Sequence, residues 1–213
     1  MLKLYYYPSY RSLFPHILLE EIGVEYELSF VDRFANAHKR PDYLKLNPNG
    51  LIPVLIDDEL VLYEASAIGL HLIDQHPGAS LAPPVGTPER AHFYKWLMWL
   101  ATQLHQALAM HLHPSKWTDD PDIQSALKAR AEIRVGELFD VIDTELATHG
   151  GPWLLGGSYS ALDAYAFTLC RWSRRMARPG ASWPHFGPYA RRVLERPAVR
   201  RALRQEHLSE PWI

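Results

Sequence analysis

Several stretches of the chain carry residue types that could do chemistry. Arg11-Ser12 sets a guanidinium beside a hydroxyl at the start of an apolar run containing Pro15. Proline is harmless only in the first turn of a helix, where N–H groups lack partners, so a helix must begin near Ser12, and serine is a preferred cap. Asn47-Pro48-Asn49-Gly50 is a tight turn, and Leu51 to Ile56 after it is a short apolar run with Pro53 inside. A central strand needs every N–H and proline has none. The run is therefore either an edge strand with a tolerated proline or a strand bordering a site. In the second case, through a cis Ile52-Pro53 bond, the Ile52 backbone is free to pair with an extended peptide. Glu64-Ala65-Ser66 opens a predicted helix, where an acid is favoured by the helix dipole. His105, His111 and His113 raise the question of a metal. His111 and His113 do not share a helical face with His105, and no cysteine or carboxylate completes a set, so no metal is expected.

These groups need elements to hold them. The chain has 213 residues, a formal charge of -2 and one cysteine, Cys170. The charge balance gives no footprint for nucleic acid or an anionic membrane. A single cysteine excludes an internal disulfide framework and fits a reducing compartment. No apolar run is long enough to span a bilayer, and the start of the chain lacks a signal-peptide core. A cytoplasmic location is expected, with neither nucleic acid nor membrane as partner.

Residues 3–7 read as a tyrosine-rich strand, followed by a helix that Gly23 ends. Val24 to Val31 alternates as a strand, 33–42 is polar and irregular, and a short helical turn precedes the proline turn. A third strand follows, then Asp57-Asp58-Glu59 as a hairpin turn, a strand over 60–63 and a helix from Glu64 to His76. The proline-rich stretch 79–87 is a linker. Everything beyond it reads as helix: one from Thr87-Pro88 to about His113, one over about 122–149, and one opened by Ser160 with Asp163 three residues on. That last helix is apolar on most faces to Trp172 and should form the centre of its domain. Two short helices, 188–194 and 197–206, complete the chain. The organisation is α/β plus all-α: domain 1–78, linker 79–87 and an all-helical domain 88–213.

Three matches now carry a resemblance over essentially the whole chain. They are Lys3-Leu4-Tyr5-Tyr6-Tyr7-Pro8 with Ser12-Leu13-Phe14-Pro15-His16-Ile17, Asn47 to Pro53 with Tyr63-Glu64-Ala65-Ser66-Ala67-Ile68, and Ser160 to Tyr165 with Arg196-Pro197-Ala198-Val199. In this order and spacing the chain resembles a glutathione transferase, close to the bacterial beta class. The resemblance implies an N-terminal thioredoxin-like domain, a C-terminal helical domain and a homodimer. It implies glutathione as co-substrate and a small hydrophobic second substrate, with detoxification as the setting. Ile52 beside the cis-Pro53 resembles the position that pairs the peptide backbone. Glu64, with the N–H groups of Ala65 and Ser66, resembles the handle for the γ-glutamyl end, although many relatives have serine where Ala65 stands.

Thiol activation departs from the pattern. The beta class has a cysteine where Arg11 stands, so mixed-disulfide chemistry is unavailable in the first domain. A free thiol has a pKa of about 8.5, and lowering it by about two units takes about 2.7 kcal/mol. A helix terminus supplies about 0.3–1 kcal/mol and a hydrogen bond to the charged sulfur about 1.5–3 kcal/mol. Ser12 is the expected donor, with Arg11 as electrostatic helper; the plain alternatives are a helix cap and a solvated charge. Tyr6 matches a tyrosine near the thiol in relatives, and His105 one that lines the site from the long helix. Met98, Ala101/Thr102 and His105 fall on one stripe at helical spacing, with Met98 where some relatives present asparagine. Trp96, Trp99, Trp117 and Trp172 are candidates for the apolar wall of a second site. The expected activity is transfer of glutathione thiolate to an apolar electrophile or a peroxide. The rivals are a binding protein without turnover and a specialised enzyme, such as an isomerase, a dehalogenase or an ether-cleaving transferase, on the same scaffold.

Overall fold

In the computed structural model, which describes residues 1–213, the tyrosine-rich opening becomes β1 (Leu2–Tyr6), at the heart of a four-stranded mixed sheet. β1 runs parallel to β2 (Tyr26–Phe30) and antiparallel to β3 (Val54–Asp57), which pairs antiparallel with β4 (Leu60–Tyr63). α1 (Leu13–Ile22) joins the parallel pair, α2 (Pro41–Leu46) precedes β3, and α3 (Ala65–Gln75) follows β4. Strand alternation sends Leu4 and Tyr6 to one face and Tyr5 and Tyr7 to the other. Leu4 is fully buried, while Tyr5 and Tyr7 pack on a cluster of Val31, Tyr43, Ile52 and Val54. Gly69 lets α3 close on α1, because a Cβ there would fall 2.7 Å from the Phe14 ring.

The chain forms two units, Met1–Leu81 with Glu195–Ser209, and Ala82–Leu194 with Glu210–Ile213. The first segment ends inside the expected linker. The sequence reading, by contrast, gave all of 88–213 to the helical domain. The structure returns α9 (Pro197–Gln205) to the first unit, where it packs on α1. Charge explains the return. Arg196 grips Glu21 with two bonds of 2.5 and 2.8 Å, and Arg201 Nε donates to Glu20 Oε2 at 2.5 Å. The paired carboxylates lie 175 and 181 positions earlier in the chain, so no local pattern announces these bonds.

The second unit is helical. α4 (Pro88–Trp99) and α5 (His105–Leu112) are joined by a π-helical turn, Leu100–Leu104. α6 (Pro121–His149) buries Ala131, Val135, Leu138, Phe139, Ile142 and Leu146 at helical spacing. α7 (Ala161–Ser173) is buried without a break from Ala161 to Arg171, and α8 (Phe186–Glu195) adds Phe186 and Tyr189. Ser160 and Asp163 cap α7 reciprocally. The Asp163 carboxylate accepts from Ser160 N–H at 2.7 Å, Leu154 N–H at 2.9 Å and the Tyr189 hydroxyl at 2.8 Å.

All seven tryptophans lie in this second unit, so tryptophan fluorescence reports on it alone. Asp163→Ala removes a cap and orphans buried donors, at a cost of about 3 kcal/mol. Urea unfolding followed by tryptophan emission should show the midpoint fall. An unchanged midpoint would contradict the capping role.

Candidate functional site

The turn before β3 is pinned from all sides. Asn47 Nδ2 and the Tyr43 hydroxyl both donate to the Leu51 carbonyl, at 2.8 and 2.9 Å, and Lys39 Nζ donates to Asn49 O at 3.1 Å. Gly50 sits at φ +59°, where a Cβ would strike the His38 carbonyl at 2.8 Å. The Ile52-Pro53 bond is cis. The strand begins only at Val54 and not at Leu51, where the apolar run starts, because proline cannot join a ladder. Both ladders stop at Val54, so the Ile52 peptide pairs with neither neighbouring strand. It can therefore accept an extended peptide as a further strand.

Glu64 ends β4 and opens α3 with φ +72° and ψ 113°. A non-glycine residue held on that side costs about 1–3 kcal/mol. No side chain caps α3, so its first N–H groups, from Ala65 onward, could donate to an anion. The Glu64 carboxylate is mostly exposed and lies 3.9 Å from Arg11 Nη1. The structure thus brings Arg11, Glu64 and the α3 terminus together.

Ser12 behaves otherwise than a cap. It precedes α1 in helical conformation and makes no capping bond. Its hydroxyl donates to the Tyr7 carbonyl at 3.1 Å and accepts from Tyr7 N–H at 3.3 Å, and the residue is fully buried. The N–H groups of Arg11 and Ser12 themselves have no partner in the chain. Tyr6 lies on the other face of the sheet from Tyr5 and Tyr7. Its ring sits 6.4 Å from that of His16, and burial, with the nearby Glu206 charge, raises its pKa. Its phenol is thus aimed at the α1 face, away from the Ile52 cluster.

One carboxylate missed by the sequence reading organises this corner. Glu206, just after α9, accepts from Ser9 N–H at 2.8 Å and sits 3.0 Å from His16 Nδ1. Both His16 and Glu206 are buried. His16 Nε2 meets Gln205 Oε1 at 2.7 Å and the Tyr26 hydroxyl at 3.0 Å, and the Tyr26 hydroxyl donates to Glu20. Ser9 is held at φ +63°. A buried histidine paired with a far acid leaves no local signal, since 190 residues separate the partners.

His105 belongs to the second unit. It is buried, with Nδ1 3.3 Å from Ala101 O and its ring edge-on to Trp172. The expected stripe of Met98, Ala101/Thr102 and His105 assumed an unbroken α-helix. The π-helical turn resets the phase, leaving Met98 and Thr102 exposed while His105 is buried. Trp96 is buried against Trp99, Trp172 packs on His105, and Trp117 is exposed. Burial pushes the Cys170 thiol up to about 12, so it stays protonated. His111 is buried with Nδ1 3.3 Å from Lys128 O. No group of three or more His, Cys, Asp or Glu is placed to hold a metal ion.

Comparison with known proteins adds a family. Residues 1–74 match the model for the glutathione S-transferase N-terminal domain and residues 125–196 that for its C-terminal domain. The chain is 31% identical to glutathione S-transferase GstA of Escherichia coli O157:H7, over 98% of this chain and all of that one. Among solved structures it resembles a sphingomonad glutathione S-transferase complexed with glutathione, at TM-score 0.84 and 32% identity over 97% of this chain and 100% of that one. It also resembles the bacterial beta class glutathione S-transferase of Sphingomonas chungbukensis, at TM-score 0.84 and 31% identity, with 97% and 100% covered.

Glu206→Ala tests the corner directly, since it frees Ser9 N–H and strips buried His16 of its acid. Hydrogen exchange across 7–12 should accelerate by roughly tenfold or more, the weight of one charged hydrogen bond. Exchange within α7 should not change. Unaltered exchange at 7–12 would show that the loop holds itself.

Proposed function

The chain belongs to the glutathione S-transferase family, and from that premise we propose that it transfers glutathione thiolate to a small apolar electrophile or a peroxide. One observation carries this reading: the unpaired Ile52 peptide, Glu64 with the open α3 terminus, and Arg11 converge in the first unit. The tripeptide backbone pairs with Ile52 beside Pro53. Its γ-glutamyl ammonium meets the Glu64 carboxylate, and the adjacent carboxylate takes the N–H groups of Ala65 and Ser66.

The thiol then lies at the start of α1. Its proton leaves to solvent, and three groups support the charge. The Arg11 guanidinium supplies a local cation, and the unpartnered N–H groups of Arg11 and Ser12 supply donors. The Ser12 hydroxyl reaches the sulfur only by releasing the Tyr7 carbonyl. That exchange gives up a neutral hydrogen bond of about 1 kcal/mol for a charged one of about 1.5–3 kcal/mol. The thiolate attacks, the leaving group departs with its electron pair, and no covalent enzyme intermediate forms. Tyr6, turned to the α1 face, and His105, buried against Trp172, take no part in this step.

Calorimetric titration with reduced glutathione should show saturable binding. Glu64→Ala should weaken it by about tenfold to a hundredfold, the loss of one charge-assisted bond. No binding at millimolar glutathione would remove the reading altogether. Binding without conjugation of any electrophile would favour a binding protein.

Ultraviolet titration of the bound thiolate separates the activating groups. Arg11→Ala and Ser12→Ala should each raise the bound thiol pKa by about half to one unit, since one unit equals about 1.4 kcal/mol. Raised pKa means less thiolate at neutral pH, so conjugation by either variant should recover as pH rises. If only Arg11→Ala moves the pKa, Ser12 serves the turn and not the sulfur.

A further inference from the structure

The loop between β2 and α2 holds an arrangement that the peptide-binding groups do not use. The Tyr7 ring lies edge-on to Tyr10 at 4.8 Å, stacked on Phe30 at 5.9 Å and edge-on to Phe34 at 6.3 Å. Phe30 is 55% exposed and Phe34 90%. Apolar area left in water costs about 25 cal/mol per Å2, so two such rings side by side are a standing penalty in the free protein.

A cation lies on the same rings. The Arg33 guanidinium sits 4.3 Å from the Tyr10 centroid and 5.8 Å from that of Tyr7. It is half-buried and forms no hydrogen bond or ion pair within the chain. Burial draws its pKa below the usual arginine value. The adjacent Asp32 turns its Oδ1 to the N–H groups of Phe34 and Ala35. Arg33 thus offers a fork of donors over an aromatic floor with no anion paired to it. The rings call for a flat π surface, and the fork calls for a carboxylate.

The patch also adjoins the peptide-binding edge. Tyr7 packs on the cluster that contains Ile52, and its peptide holds the Ser12 hydroxyl. A ligand lying on Tyr7 would therefore sit beside the Arg11-Ser12 turn. We propose that Tyr7, Tyr10, Phe30, Phe34 and Arg33 form the platform for the second substrate, a small planar aromatic electrophile bearing a carboxylate. This rests on the reading of the chain as a glutathione-using enzyme. With a halogenated aromatic acid, sulfur bonds to the ring carbon, the halide leaves with the bonding pair, and the thiol proton goes to solvent.

The test is calorimetric titration of the whole chain with para-nitrobenzoate and, separately, with para-nitrobenzamide. The two share ring and size and differ in charge. The benzoate should bind about tenfold more tightly, the yield of one partly solvated charged bond. Arg33→Met should erase that preference while leaving glutathione affinity intact, and Phe34→Ala should weaken both probes several-fold. Equal binding of the two probes overturns the proposal. So does a parallel loss of glutathione affinity in Arg33→Met, which would assign the guanidinium to the tripeptide. If Phe34→Ala instead turns a dimer into monomers in sedimentation and spares nitrobenzoate, the patch is a self-association surface and the proposal falls. If glutathione never binds but the charge preference appears and Arg33→Met removes it, the aromatic-acid site stands and the transferase reading falls.

Discussion

The Glu206 carboxylate is the constraint on which the functional corner depends. It holds Ser9 in a left-handed backbone conformation from one side and His16 of α1 from the other. Between those two points lie Tyr10, Arg11 and Ser12, and just before them Tyr7. Ser9 is a non-glycine residue at φ +63°, and the intrinsic cost of that conformation runs to about 1–3 kcal/mol. A charge-assisted bond from a buried acid is of the size needed to offset it. The position of Arg11 relative to Glu64 therefore follows from a residue far along the chain.

The same site shows an economy of polar groups. The turn before β3 and the Tyr7–Ser12 pair satisfy nearly all their own donors and acceptors. What they leave open is narrow: the Ile52 peptide, the α3 terminus and the amides at Arg11 and Ser12. A rigid frame with a few unspent groups is how a site keeps its geometry before the ligand arrives. The Ile52 peptide and the α3 terminus are backbone handles, and backbone groups do not depend on side-chain identity.

Much of this was legible in the sequence. Pro15 fixed where α1 could begin, and the Ser160–Asp163 spacing announced the cap of α7. The proline in an apolar run raised two readings, an edge strand or a strand bordering a site, and the ladders stop short of it at Val54. What could not be read shares one physical trait, dependence on distant partners or on phase. The return of α9 rests on arginines meeting Glu20 and Glu21. The broken stripe at His105 rests on a π-helical turn, for which Leu100–Leu104 carries no proline or glycine as warning. The faces of Tyr6 and Tyr7 follow from alternation, once the strand is seen to stop at Tyr6. The aromatic loop was passed over because 33–42 is polar on average, and averaging hides Phe34 beside Arg33.

The first unit is discontinuous, and this bears on how the protein is made. Ribosomal synthesis delivers Glu195–Ser209 only after the whole of Ala82–Leu194. Chains usually complete their folding from the N-terminal domain onward. Here the helical unit has nearly all its residues while the sheet unit still lacks α9 and Glu206. On the nascent chain the sheet can pair early, but Ser9 N–H meets the Glu206 carboxylate only when the final helix docks. The corner around Ser9 and Ser12 is therefore among the last parts of the molecule to take shape, close to the end of synthesis.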